Sequence, residues 1–459
     1  MKSKDHNPLM NSFVKRVARN ALFFFSSQIW EAIAGLAVVA ILARYLGVEG
    51  FGSYAVVFSV VNLVVPLTFM GIQQVGIREI ASKEDDSEKA TYLGSLLQAR
   101  IFLLGVAACI IALIILAMRP EKQVIFGVII FFFAIVIGSS GEVIISSFIA
   151  GEKFQYHLFV VMIERLSLLV FVAIVTLLDL GFYAVFLCYV AAKSLKTSCA
   201  LYFLRKNFYS IIFSFDAGWI KMIIKESYLI GFGISIGIGF HHAIVIILKQ
   251  FVGLQAAGIF SAYYNVILRC QLLAVSLSRS LMPRISIEAK RNVAAYLRLV
   301  KKGILLLLLG GALLALMLWP LKGFIISTVY GKPFLLEIKG FGYLVLLLPI
   351  LFVDNILNVA FISKRLAKSF FFAKVSGLIV GAALTVGFVS SFHLYAGIYG
   401  IINGKLFSTL IMLLIFKRHV PLALAGSTGE GLETAPINAR KSPGEAEKVV
   451  VDLVTQGRL

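Results

Sequence analysis

Five charged residues stand where charge is expensive. Arg269, Glu31, Asp354, Glu142 and Lys405 each lie inside a long apolar run. At the centre of a bilayer such a group costs ~2.5–3.5 kcal/mol on insertion scales, so it normally faces a wet cavity or a partner. Arg269 is the deepest, fifteen residues from one end of its run and thirteen from the other. Glu31 and Asp354 are near the middles of theirs, Lys405 about nine residues in, and Glu142 in the inner third. Arginine presents a planar fork that matches phosphate oxygens. Arg269 and Lys405 deep in one cavity, with Arg44 and Lys249 at its mouth, would attract an anion such as a diphosphate. The competing reading pairs Arg269 with Glu31 or Asp354 as an internal bridge and makes Arg44 and Lys249 interfacial anchors of two helix ends.

A second set of residues has the types that ion coupling needs. His241 and His242 follow Gly231, Gly233, Gly237 and Gly239 in one run. Imidazoles there would titrate in a proton-coupled cycle or be satisfied inside an interface. The glycines permit close helix packing or a bend. Asp354 with Asn355, Asn358, Asn403 and Thr385 has the oxygen donors of a small cation site. Catalytic constellations are lacking: the sequence has no GxSxG, no HExxH and no GxxxxGK[ST]. No cofactor or metal is expected. Cys109, Cys188, Cys199 and Cys270 lie in or beside apolar runs without CxxC spacing, as packing residues do.

The elements that must position these residues are membrane helices. The 459 residues are 60% hydrophobic and 14% charged, with mean hydropathy +0.94, against about 25% charged in soluble domains. The runs do not alternate, which excludes a membrane β-barrel. Twelve spans are expected, at 19–44, 52–77, 93–117, 123–149, 156–178, 181–204, 224–248, 254–282, 299–319, 340–362, 370–392 and 396–416. With the N-terminus inside, cytoplasmic segments hold 30 Lys and Arg against 7 in the opposite loops, so both termini are read as cytoplasmic. That rule also accounts for the net charge of +20, and nucleic acid is not expected as a partner. Between 284 and 302 a basic, amphipathic loop is expected on the leaflet surface.

A weak internal repeat divides the chain. An offset of 206 carries Gly47 onto Gly253, Gly52 onto Gly258, Tyr45 onto Phe251 and Arg78 onto Arg284. It also brings Arg44 within one residue of Lys249. Six spans on each side of the repeat give two six-helix bundles that enter the membrane the same way, related by an axis along its normal. The expected organisation is a cytoplasmic segment at 1–18, bundles at 19–210 and 211–420, and a disordered cytoplasmic tail at 421–459, where Pro, Gly, Ser, Thr, Glu and Lys dominate. No loop is large enough for an ATPase or an external catalytic domain.

Residues 42–55 (LARYLGVEGFGSYA) and 71–81 (GIQQVGIREIA) resemble the N-terminal signature of bacterial polysaccharide transporters, the O-antigen-type flippases of the multidrug/oligosaccharidyl-lipid/polysaccharide (MOP) superfamily. The resemblance implies a MOP/MATE-like all-α membrane fold, with two bundles forming a V around a central cationic cavity. It implies alternating-access movement of an undecaprenyl-diphosphate-linked oligosaccharide, an O-antigen, capsule or exopolysaccharide repeat unit, across the inner membrane. Membrane lipids and other polysaccharide assembly proteins are the partners it implies, and basic luminal residues are needed for transport. Arg269 and then Lys405 are this chain's candidates by depth. An ion-coupled multidrug exporter of the same superfamily, or a membrane-embedded polysaccharide polymerase or ligase, are the alternatives.

Overall fold

The structure is a computed structural model and describes residues 8–69, 72–213, 217–364 and 366–426. Apolar segments of this length must satisfy every backbone group internally, and helices do so. The described elements are helices: α1 (Pro8–Phe69), α2 (Ile72–Ser82), α3 (Asp86–Met118), α4 (Lys122–Ala150), α5 (Phe154–Leu177), α6 (Phe182–Asn207), α7 (Ala217–Phe251), α8 (Leu254–Arg291), α9 (Val293–Val329), a 3-10 turn (Lys332–Leu335), α10 (Ile338–Val345), α11 (Leu348–Ser363), α12 (Ala367–Phe392) and α13 (Leu394–Gly426). Ten described segments are long and apolar enough to cross a membrane, Ser26–Thr68 among them, and Ser235–Phe251 is a shorter apolar helix. Ser26–Thr68 is bent at Gly47, so its two arms and Ser235–Phe251 bring the number to the expected twelve.

Among the described residues the chain divides after Phe416 into two units. Beyond Gly426 the expected tail lies outside the described residues, as do residues 1–7. α13 runs to Gly426, past the boundary expected at 420.

Several boundaries differ from expectation. The inner part of span 2 falls in a separate helix, α2. Span 10 is broken between Val345 and Leu348, just before Pro349. The expected surface loop at 284–302 is instead the meeting of two helix ends. α8 runs to Arg291, and Asn292, in an extended conformation, caps α9 by accepting from the Ala295 amide at 3.0 Å. α9 in turn runs to Val329, leaving only a short loop where about 20 residues were expected.

Helix faces are sorted by neighbour. On α9, Leu305, Leu309, Leu313 and Leu316 are exposed at helical spacing, a face for lipid. The opposite stripe, Gly303, Leu307, Gly311 and Ala315, is buried on α11. A Cβ on Gly311 would stand 2.8 Å from the Pro349 Cα, so the small residue sets the approach. α1 is the seam of the molecule, packing on α4 and α5 and also on α7 and α8.

The 206-residue repeat is visible in the backbone. Gly47 (φ 67°) and Gly253 (φ 120°) both lie in the left-handed region that only glycine enters cheaply. One breaks α1 and the other starts α8. Gly52 abuts the Leu254 carbonyl, and a Cβ on Gly258 would stand 2.5 Å from the Val48 carbonyl oxygen. The offset converts each contact into the other, so the two hairpins meet face to face.

Candidate functional site

Where the two related faces meet below the hairpins there is a cavity of about 450 Å³ between α1, α5, α6, α7 and α8. Its walls follow the repeat. Ala55, Ser59 and Asn62 on the second arm of α1 line it, and so do their counterparts Ser261, Asn265 and Leu268 on α8. On α8, Ser261, Asn265 and Arg269 recur every four residues and form one polar stripe. His241 and His242 face the same space from α7, Tyr189 from α6 and Arg165 from α5.

Arg269 lies in this cavity with no hydrogen-bond or ion-pair partner among the described residues. Its guanidinium is laid against α1 at Gly35, where an added Cβ would stand 2.8 Å from Nη2 and 3.3 Å from Cζ. Glu31, one turn earlier on α1, is not its partner. Glu31 accepts a hydrogen bond and ion pair from Arg165. The Arg165 side chain is 23% exposed and that of Glu31 39%, while the Arg165 Nε is buried without a partner. The cavity is therefore lined by two guanidiniums, one of them paired to Glu31, and by hydroxyl and amide groups, with no carboxylate among its lining residues. Such a set has the donors that match an oxyanion and offers no free carboxylate to a cation.

The histidines are engaged with each other and with α1 and α8. His242 Nδ1 is 3.0 Å from the Ser59 hydroxyl. The two imidazole rings lie 3.7 Å apart, and His241 stacks on Tyr264 at 4.7 Å. Of the preceding glycines, Gly233 and Gly239 serve close packing, against Phe370 and Leu63, whereas Gly237 faces open space. α7 is continuous through them.

Lys405 is placed elsewhere than expected. It is buried among α7 and α13, donates to the Gly237 carbonyl at 3.1 Å and lies over the Phe240 ring. It does not line the cavity that holds Arg269. Asp354 is likewise taken, because the Lys374 ammonium sits 2.6 Å from its Oδ1 and both side chains are 4% exposed. The expected cation site is not assembled. Asn358 reaches Asp354 at 3.4 Å, but Asn355 and Asn403 donate to the backbone of their own helices, at Leu351 and Tyr399. No group of three His, Cys, Asp or Glu fit to hold a metal occurs among the described residues.

Arg44 and Lys249 do not line the cavity either. Each crosses to the other half. Arg44 on α1 donates to the Thr328 carbonyl of α9, and Lys249 on α7 pairs with Glu121, before α4, at 3.3 Å. The 206 offset relates these two links to within one residue at each end. Between them Phe51 packs on Tyr330 and Phe334 at 6.1 and 5.7 Å. The hairpin ends of the halves are thus tied together, and the cavity is closed on that side.

Sequence reasoning missed Arg165. It is one of the 30 Lys and Arg in the cytoplasmic total, yet it lies well inside α5. Lys193, Lys196 and Lys374 were miscounted in the same way. Lys196 bridges Glu142 and Glu164, which is 2.7 Å away, and Lys193 reaches Glu164 at 3.2 Å. Glu142 therefore belongs to a balanced cluster inside the first bundle. Arg100, buried and bonded to Thr68, is a fifth such case. Without these five the count is 25 against 7, and the orientation argument keeps its sign.

Paired helical bundles closed at one end over a polar, cationic cavity define a multi-pass membrane protein with the fold of the MOP transporters. A family model described as "Polysaccharide biosynthesis protein" matches residues 17–287. The chain belongs to that family, the polysaccharide biosynthesis proteins. The fold is similar to an inward-facing multidrug-resistance MATE transporter of the MOP superfamily (TM-score 0.68, 14% identity, 87% of this chain and 96% of that one). It is similar also to the lipid II flippase MurJ in an inward closed conformation (0.61, 14%, 95% and 96%). An outward-facing MATE transporter of the superfamily matches at 0.55 (14%, 90% and 96%). No curated protein sequence matches significantly.

Proposed function

We propose that the chain is a flippase. It moves an undecaprenyl-diphosphate-linked oligosaccharide from the inner to the outer leaflet of the inner membrane by alternating access. The polar head travels through the central cavity while the lipid tail stays in the bilayer. A diphosphate cannot cross hydrocarbon unaided, and Arg269 and Arg165 supply the charge that replaces its water. Family membership and the likeness to a lipid II flippase support the class of substrate. The observation that carries the reading is Arg269, a guanidinium without a partner among the described residues, held in a cavity at the seam of the two bundles. A cationic drug would need a free carboxylate, and the nearest, Glu31, is held by Arg165. The energy comes from an ion gradient or from removal of the product outside.

Arg269→Ala is expected to lower surface glycan at least tenfold in cells that depend on this chain, with the variant inserted at wild-type levels. Normal glycan from the inserted variant would sink the proposal.

A further inference from the structure

Arg165 and Arg269 line the cavity, and Glu31, paired to Arg165, brings the net charge of the three to +1. Glu31 uses only part of the Arg165 fork. The bond is made through Nη2, and Nε is buried with nothing to donate to. A buried, unused donor beside a carboxylate indicates a guanidinium shaped for a second, two-oxygen ligand. Glu31 itself is the most exposed member of the ion pair, at 39%. It stands one turn from Gly35, over which Arg269 lies, so both arginines are within reach of one bound group.

We infer that Glu31 is a built-in counter-anion that a diphosphate displaces. This rests on the reading of the cavity as a diphosphate path. In the empty protein the Glu31 carboxylate holds Arg165 in place and keeps the cavity from being filled by stray anions. An entering diphosphate, with two negative charges as a diester, takes Arg165 from Glu31 and spans to Arg269. Two guanidiniums then neutralise it, and Glu31 turns toward the wet lumen. On the far side Glu31 recaptures Arg165 and weakens the hold on the ligand. Each step exchanges one oxyanion for another on Arg165, so that guanidinium is never left unpaired in the low-dielectric interior. The cavity thereby avoids the tight binding that would stall a transporter: two free arginines would hold the diphosphate too well to release it.

The test compares the full-length wild type, Glu31→Gln, Arg165→Ala and Arg269→Ala in phosphatidylcholine nanodiscs. Binding of farnesyl diphosphate is measured by calorimetry, and surface glycan in cells gives the transport readout. Glu31→Gln keeps the shape of the side chain and removes the competing charge. It is expected to bind farnesyl diphosphate at least tenfold more tightly than wild type while exporting several-fold less glycan. Both arginine variants are expected to bind more weakly. A static role, in which Glu31 only orients Arg165, predicts unchanged or weaker binding by Glu31→Gln, and that result overturns the inference. The function reading then survives if wild type binds and Arg269→Ala does not. Absence of saturable binding by wild type overturns both.

Discussion

Arg269 depends on a residue with no side chain. Because a Cβ at Gly35 would stand 2.8 Å from the guanidinium, Gly35→Val is expected to displace Arg269 and depress glycan export nearly as far as Arg269→Ala, with Gly35→Ala between. Full export by Gly35→Val would mean that the guanidinium's resting place is unimportant. A different balance holds Asp354. Removing one partner of a buried ion pair costs ~3–5 kcal/mol, while replacing both is often neutral. Asp354→Asn alone should therefore lower the thermal midpoint of the purified protein, and Asp354→Asn with Lys374→Met should recover most of it. A double variant no more stable than the single one would deny the pairing. Depth along an apolar run was enough to single out Arg269 from sequence. The same argument was available for Arg165, Lys193 and Lys374, which lie inside expected spans. They enter the cytoplasmic total because a basic residue near a span end reads as a topology signal until its packed neighbours are known. The Arg165–Glu31 and Lys374–Asp354 bonds join residues 134 and 20 positions apart, and periodicity carries no information about such partners.

The hairpins at Gly47 and Gly253 are the elements that make the halves commensurate. Their reciprocal approach, Gly52 on Leu254 and Gly258 on Val48, requires that neither glycine carry a side chain. Gly52→Leu is expected to hold the hairpins apart and expose the cavity from the side poor in Lys and Arg. In a background lacking the native cysteines, a cysteine at Asn265 should then react several-fold faster with an impermeant thiol reagent added outside. An unchanged rate would show that the glycine contact does not close the cavity. The repeat itself is legible in the sequence from Gly47, Gly52 and their counterparts Gly253 and Gly258, and the structure adds that the two hairpins meet. The partners of Arg44 and Lys249 were not legible, because Thr328 contributes a backbone carbonyl and Glu121 stands in a loop between two spans.

At the scale of the whole molecule, twelve spans followed from hydropathy, whereas the breaks at 292 and 346–347 did not. Those breaks go with Pro349 and the Asn292 cap, local features that leave the hydropathy of a run unchanged. Reporter fusions after residues 48 and 335 should report outside, and those after 88 and 215 inside; one inverted position would break the proposed topology. The central claim is that the cavity between the bundles carries a diphosphate-linked saccharide across the membrane. It is tested most directly in vesicles containing the purified full-length protein and a fluorescent polyprenyl-diphosphate saccharide, with loss of inner-leaflet label followed by an impermeant quencher. Wild type should move the lipid to the outer leaflet, and Arg269→Ala should do so at least tenfold more slowly at equal incorporation. Equal rates for the two proteins, or no movement of the lipid by wild type, would contradict the account.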